Sequence, residues 1–175
     1  RGPVPGLLAV AAALPPLFWA GNFVLGRALH TDIPPLALSF WRWFLALLIL
    51  LPFSYRGLIS QWGRLKESWP ILTLFAVLAV TNYNTFAYIG LQTTTATNAV
   101  LLTSTTPVLI LGLSWILLGQ RFGAAQGLGV ALSLAGVALI VTEGELARLA
   151  ALQLTSGDLW ILAAGLDWAL YSVCL

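Results

Sequence analysis

Charged residues are scarce in this chain. Aspartate, glutamate, lysine and arginine together make up 8% of its 175 residues, whereas 59% are hydrophobic. A soluble globular domain carries about 25% charged and about 45–50% apolar residues, so the composition excludes an ordinary soluble domain and predicts an all-α integral membrane protein with the lipid bilayer as its surroundings. The eight basic residues are scattered and form no patch, so nucleic acid is not indicated as a partner.

Cysteine, histidine and methionine are almost missing as well. The one cysteine, Cys174, cannot close a disulfide within the chain, and we interpret it as a small buried residue. The one histidine, His30, falls in a predicted loop, and no Cys/His pair, Ser/His pair or metal-ligand set is evident. We therefore expect no enzyme activity, no cofactor and no metal. Methionine is absent even from position 1, so we expect that the sequence does not begin at its initiator residue.

Long apolar runs fill most of the chain. A membrane-spanning helix needs about 20 mostly apolar residues, and six stretches meet this requirement: 5–27, 35–53, 69–90, 93–118, 123–142 and 158–175. Prolines at the start of the second and third stretches, and residues 155–158 before the sixth, are typical helix-start signals. A signal peptide is the alternative for the first stretch, since Arg1 precedes an apolar core. Its apolar character continues past Pro16 to Leu25, which favours a span.

The basic residues of the connecting loops are unevenly distributed between the two sides of the membrane. With loops assigned alternately, one side carries Arg1, Arg56, Arg64, Lys66 and Arg121. The other side carries only Arg27 and Arg148. Because short cytoplasmic loops are enriched in lysine and arginine, a cytoplasmic N-terminus is predicted.

The fifth stretch is rich in small residues. Ala125, Gly129, Ser133 and Gly136 recur at helical spacing on one face, and we interpret this stripe as a surface for close helix packing, within the bundle or between protomers. A polar link over 143–157 follows, and then the sixth stretch begins. A second copy of a unit with five spans would enter the membrane in the opposite orientation, which is how inverted repeats arise in transporters.

Several short motifs together resemble the EamA repeat of the drug/metabolite transporter superfamily. They are Trp19-Ala20-Gly21-Asn22-Phe23, Phe40-Trp41-Arg42, Ala87-Tyr88-Ile89-Gly90-Leu91, Ala96-Thr97-Asn98-Ala99 and Thr106-Pro107. The glycine-rich fifth stretch is similar to that of the family too. This chain has Gly119-Gln120 where the family commonly has Gly-Glu, so any role of that carboxylate does not carry over.

The resemblance implies a transporter of ten helices in two inverted halves. Residues 1–142 would form the first five-helix repeat, 143–157 the linker, and 158–175 the first helix of the second repeat. Within the family, the many tryptophans and tyrosines and the pair Tyr83-Asn84 are most similar to the YddG-type amino-acid exporters. The implied function is export of small neutral or zwitterionic metabolites, amino acids and aromatic ones among them, across the cytoplasmic (inner) membrane of a bacterium.

Polar and aromatic side chains mark one face of several stretches. Residues three or four positions apart share a helix face, and the first, third, fourth and sixth stretches contribute Trp19, Asn22, Tyr83, Asn84, Tyr88, Asn98, Trp168 and Tyr171. Any one such face alone is more often a packing surface. If they converge, they form the wall of a cavity that suits a moderately apolar small-molecule substrate without net charge.

Asn98 lies in a run of threonines and serines between positions 93 and 107. Such hydroxyls commonly bond a carbonyl of the preceding helical turn, so most are expected to need no cavity. Pro107 removes the helix hydrogen bond to the carbonyl of Thr103, which predicts a kink or break. The amide of Asn98 has more bonding sites than a hydroxyl, so Asn98 is the candidate cavity residue of the run.

Two charged residues, Asp167 and Arg42, lie well inside predicted spans. For Asp167 three roles are open: carrying a proton, holding the ammonium group of a substrate, or pairing with a neighbour to support the fold. For Arg42 a structural role is favoured over binding a substrate carboxylate. A permanent charge on the path of a neutral substrate would trap it, and long arginines often snorkel or bond helix carbonyls.

Other functions are weighed against a secondary transporter. A nucleotide-sugar or organic-phosphate carrier of the same superfamily would need several inward-facing basic residues, and only Arg42 qualifies. A membrane scaffold without transport activity is compatible with the small-residue stripe. No phosphate-binding Gly-x-x-x-x-Gly-Lys-Ser/Thr loop occurs in the sequence, so ATP-driven transport is not predicted.

Overall fold

The structure is a computed structural model that describes residues 5–142, 145 and 155–175. Within these ranges the chain is helical and contains no strand. Its helices are α1 (Pro5–Ala28), α2 (Pro35–Ser60), α3 (Trp62–Glu67), α4 (Trp69–Ala76), α5 (Tyr83–Thr93), α6 (Ala96–Thr103), α7 (Thr106–Leu118), α8 (Ala124–Val141) and α9 (Ser156–Cys174). A π-helical segment, Val77–Asn82, joins α4 to α5 without interruption.

Helices occupy all six stretches that the sequence predicted to be apolar spans. In the part of the chain that the structure describes, three helical segments are long and apolar enough to cross a membrane: Pro35–Ser60, Trp69–Thr93 and Ala96–Leu118. The prediction of an all-helical membrane protein is therefore confirmed. That the remaining stretches also cross, that the N-terminus is cytoplasmic, and that a second repeat begins near residue 158 stay predictions. The linker expected at 143–157 lies largely outside the described residues.

Helix α2 runs seven residues further than predicted, to Ser60. Pro52 lies inside it, but one proline removes only one backbone hydrogen bond. Beyond it, hydroxyls bond to the helix itself: Ser54 Oγ donates to the carbonyl of Leu50 at 2.9 Å, and Ser60 Oγ donates to that of Gly57 at 3.0 Å. The helix therefore continues past the end of its apolar run.

The break expected near Pro107 is present. Helix α6 ends at Thr103 and α7 begins at Thr106. The hydroxyls of Thr103, Ser104 and Thr105 donate to carbonyls three or four residues earlier, at 2.6–2.8 Å. Most of the polarity of this run is thus satisfied by its own helix, as predicted.

Helix α9 lies at the centre of the described packing. It packs against α5 above all, and also against α6, α7 and the π-helical segment. Leu91 of α5 and Ile161 of α9 are among the largest fully buried side chains. The start of α9 was predicted at residue 158, but the helix begins at Ser156, where Thr155 and Asp158 form a capping box. In this capping box the Asp158 carboxylate accepts from the Thr155 backbone N–H at 2.6 Å and from the Thr155 hydroxyl at 3.2 Å. The helix therefore starts two residues earlier than apolar character alone indicates.

Two further expectations differ from the structure. Cys174 is exposed rather than buried, because the buried positions of α9 end at Ala169 and its last turn projects past them. The small-residue stripe of α8 was expected to pack closely, within the bundle or between protomers. For packing within the bundle, this prediction is wrong at Gly129 and Gly136. In the described part of the chain nothing lies within 4 Å of a Cβ added at either glycine. Packing of this stripe between protomers stays a prediction.

Candidate functional site

A cavity of about 430 Å³ lies between α1, α2, α9 and the junction of the π-helical segment with α5. It is lined by Pro15, Phe18, Trp19, Asn22, Arg42, Trp43, Ala79, Val80, Tyr83, Asn84, Trp168 and Tyr171. Ligand pockets in proteins span about 300–1,000 Å³. The size of this cavity therefore suits a small metabolite.

The polar wall of the cavity is organised around Arg42. Its Nη1 donates to Asn22 Oδ1 at 2.9 Å, Asn84 Oδ1 at 2.7 Å and the Tyr88 hydroxyl at 2.7 Å. The Tyr88 hydroxyl in turn donates to Asn22 Oδ1 at 2.6 Å. One guanidinium thus ties α1, α2 and α5 together through neutral oxygens.

The positions of these groups follow from helix geometry. Asn84 and Tyr88 are one turn apart on α5 and therefore share a face, and both are buried. Asn22 lies on the part of α1 that packs against α5. Arg42 reaches them from the second turn of α2, and its guanidinium carbon lies 5.4 Å from the centre of the Trp43 ring.

The opposite wall is aromatic. The ring of Trp168 on α9 lies 5.2 Å from that of Trp19 and 5.1 Å from that of Tyr83. Trp19 Nε1 donates to the Tyr83 hydroxyl at 3.1 Å, so the two polar atoms satisfy each other. Tyr171 continues this wall, with its ring 5.4 Å from that of Trp168. Trp19 and Tyr83 therefore present apolar ring faces while their polar atoms bond each other.

The π-helical segment supplies the floor between the two walls through Ala79 and Val80. Asn84 Nδ2 donates to the carbonyl of Val80 at 2.8 Å. A π-helical turn leaves carbonyls outside the regular i to i−4 ladder, and such turns are frequent at functional sites. The amide of Asn84 therefore bridges a displaced backbone carbonyl and the Arg42 guanidinium.

Residues 6–142 match the EamA-like transporter family. The chain belongs to this family. It is 35% identical over 163 residues to an uncharacterized transporter of Archaeoglobus fulgidus, a match that covers 92% of the chain and 54% of that protein. It is also 28% identical to the uncharacterized transporter YyaM of Bacillus subtilis, over 90% of the chain and 52% of YyaM. The chain spans about half the length of the curated relatives it matches. No solved structure matches it.

Most of the site residues proposed for this EamA-like chain from its sequence share the one cavity. Those that line it are Trp19, Asn22, Arg42, Tyr83, Asn84, Trp168 and Tyr171. Tyr88 supports them through its bonds to Arg42 and Asn22 rather than lining the cavity. The structure brings these side chains together, while their role in transport stays a prediction.

Asn98, in contrast, is not brought to this cavity. It lies in the first turn of α6, where its backbone N–H donates to Thr95 Oγ1 at 3.1 Å in an N-cap. Thr94 and Thr95 are extended and separate α5 from α6, and Asn98 does not line the cavity. The family-like motif around Asn98 therefore serves the start of a helix in this structure.

Asp167 lies on α9 next to the aromatic wall but does not line the cavity. The Asn82 side chain of the π-helical segment faces its carboxyl group. Its Oδ2 is buried and has no hydrogen-bond partner among the residues that the structure describes. A carboxylate oxygen without a partner argues against a fully satisfied structural pair.

The structure adds lining residues that the sequence did not indicate as site residues. Trp43 and Phe18 each adjoin a predicted residue along the chain, and periodicity alone places neighbours about 100° apart on a helix. Ala79 and Val80 carry no side-chain signal at all. They line the cavity because they lie in the π-helical segment, and no residue type in 77–82 predicts such a segment.

Proposed function

We propose that the protein is a secondary transporter that exports small neutral or zwitterionic metabolites, with amino acids as the main class and aromatic ones included. Export would cross the cytoplasmic (inner) membrane of a bacterium. The observation that carries the proposal is the cavity itself. It combines an aromatic wall with a cluster of neutral hydrogen-bonding groups around a single arginine, between helices of a membrane transporter family.

The shape and charge of the cavity favour this class over a nucleotide-sugar carrier. A diphosphate would require several basic side chains, whereas Arg42 is the only basic residue that lines the cavity in the described part of the chain. The volume of about 430 Å³ also lies near the lower end of ligand pockets. A small metabolite with one charged group or one charge pair fits better.

Alternating access is part of the same proposal. Transporters with inverted repeats bind the substrate near the middle of the membrane and expose it to each side in turn by rocking one half against the other. The cavity lies beside a π-helical segment and between four helices, which is where such a movement would open or close it. The remaining four of the expected ten helices would close the cavity from its other side.

The proposal is tested with the full-length protein reconstituted in proteoliposomes. We expect saturable, time-dependent release of preloaded radiolabelled L-phenylalanine that protein-free liposomes do not show. A parallel assay uses UDP-glucose, which should not be released. If no amino acid crosses the membrane while the protein remains folded, a scaffold without transport activity replaces this proposal.

A further inference from the structure

All hydrogen bonds of the Arg42 guanidinium fall on one of its three nitrogens. Nη1 contacts three oxygens at 2.7–2.9 Å. Over the described residues, Nε and Nη2 form no hydrogen bond, and no carboxylate pairs with the group. The guanidinium group is thus held at Nη1, while the edge formed by Nε and Nη2 has no partner among the described residues. That edge matches the two oxygens of a carboxylate.

The charge of the cluster is not balanced. Its three acceptors, two amides and one phenol, are neutral. An ionised group inside a membrane protein is costly without a partner, and such groups normally pair with an opposite charge. Asp167 does not balance the charge of Arg42, because its carboxyl group faces Asn82 and does not line the cavity.

Arg42 and the rings of the aromatic wall line the same cavity. A ligand that satisfied both would carry a carboxylate at one end and an apolar or aromatic body at the other. We propose that Arg42 binds the carboxylate of the transported substrate through Nε and Nη2, and that the rings of Trp19, Tyr83 and Trp168 hold its side chain. This inference rests on the transport function proposed above and specifies the chemical group that the site requires.

The sequence favoured a structural role for Arg42 because a permanent charge would trap its substrate. The three oxygens around Nη1 answer that objection. They bond Nη1 without a substrate present, so release of the substrate leaves the guanidinium with three partners. Arg42 therefore holds α1, α2 and α5 together with one nitrogen and leaves the other edge for reversible binding.

The first test varies the substrate and leaves the protein intact. With the full-length protein in proteoliposomes, unlabelled compounds compete against radiolabelled L-phenylalanine: L-phenylalanine, 3-phenylpropionate, L-phenylalaninamide and phenethylamine. The two carboxylates should compete, and the amide and the amine should compete roughly tenfold to a hundredfold more weakly, the range expected for hydrogen bonds between charged groups. Equal competition by all four compounds would overturn the inference while leaving amino-acid transport intact. If labelled L-phenylalanine is not transported at all, the proposed function itself fails.

The second test uses Arg42→Gln, with Arg56→Gln as the matched control. Both arginines lie on α2, but Arg56 is exposed and bonds only the hydroxyl of the adjacent Tyr55. Arg42→Gln should reduce the preference for L-phenylalanine over L-phenylalaninamide to nearly one, and Arg56→Gln should keep it. A ratio of two substrates does not depend on how much protein folds. If a folded Arg42→Gln variant keeps the preference for L-phenylalanine, the inference is overturned. If that variant does not fold, the competition experiment with the intact protein decides whether the site requires a carboxylate.

Discussion

The two halves of α9 meet the rest of the bundle in opposite ways. At its first turn, Gly157 lies directly against Gly90 of α5, and a Cβ added to Gly157 would come within 2.6 Å of Thr93 Oγ1 and 2.8 Å of the Thr94 backbone nitrogen. About three to four turns later, Trp168 and Tyr171 border an open cavity. We call these regions the tied end and the cavity end of α9. The difference separates an end that is packed tightly against α5 from an end that borders the candidate site.

Polar groups show the same contrast. Asp158 at the tied end is 2% exposed, and its carboxylate accepts bonds from the Thr94 hydroxyl, from the Thr155 backbone N–H at 2.6 Å and from the Thr155 hydroxyl at 3.2 Å. Asp167 at the cavity end keeps one buried oxygen without a partner in the described part of the chain. A satisfied charge next to a helix N-terminus stabilises the fold, whereas an unsatisfied one is available for function. Four substitutions test this contrast.

The largest effect is expected for Gly157→Ala at the tied end. The obstructing atoms include the Gly90 carbonyl oxygen and the Thr94 nitrogen, which belong to the backbone and cannot rotate away. We expect a loss of at least about 2 kcal/mol in the free energy of unfolding, measured by thermal or denaturant unfolding in detergent. Gly129→Ala on α8 is the control, since nothing described lies near its added Cβ. Equal stability of the two variants would contradict the tight contact.

Asp158→Asn should have the next largest effect. Asparagine replaces one acceptor oxygen of the carboxylate with an N–H₂ group, so at least one of the surrounding donors loses its acceptor. This costs about 1–3 kcal/mol of stability. The control is Asp32→Asn, because Asp32 is exposed and only contacts Thr31 Oγ1 at 3.4 Å. Unfolding measurements check the stability, and the KM for L-phenylalanine of the folded fraction should stay unchanged. A changed KM with unchanged stability would place the tied end within the binding site.

The tied end could be anticipated in part from the sequence. The Thr155 and Asp158 pair is a local signal, and the apolar runs and prolines located all six helical stretches. Helical spacing also grouped Trp19 with Asn22 and Trp168 with Tyr171, because faces of single helices are a local property. The contact of Gly157 with Gly90 joins residues far apart in the chain, and nothing local marks it.

The cavity end was less predictable for the same reason. Asn22, Asn84 and Tyr88 each mark a face, but their meeting at Arg42 depends on how α1, α2 and α5 pack. From the sequence, Arg42 was therefore interpreted as a single charge inside a span, and a structural role was favoured over binding a substrate carboxylate. The residue type of Asn98 also predicted a place at the cavity, whereas Asn98 lies in the first turn of α6 and does not line it.

Trp168→Ala at the cavity end should impair transport more than folding. Its ring contacts those of Trp19, Tyr83 and Tyr171, and losing about 1.4 kcal/mol of such contact energy with the substrate raises the KM about tenfold. Trp115→Ala on α7 is the control, because Trp115 is 59% exposed and lies outside the cavity. Proteoliposome kinetics measure the KM. An unchanged KM for Trp168→Ala would remove the aromatic wall from the proposed binding site.

The smallest effect on stability is expected for Asp167→Asn. The substitution is identical to that of Asp158 and lies nine residues further along the same helix. Here Oδ2 has no described hydrogen bond to lose, and the amide oxygen of asparagine can still accept from Asn82, which bonds the carboxyl group of Asp167. The free energy of unfolding should therefore stay within about 0.5 kcal/mol of the parent protein. A loss comparable to that of Asp158→Asn would show that Asp167 forms a structural pair, and the contrast between the two ends would fail. If stability is unchanged, the response of L-phenylalanine export to an imposed pH gradient separates the two remaining roles of Asp167. If Asp167 carries a proton, the Asp167→Asn variant should lose this response. If Asp167 only holds the ammonium group of the substrate, the variant should keep the response and show a higher KM.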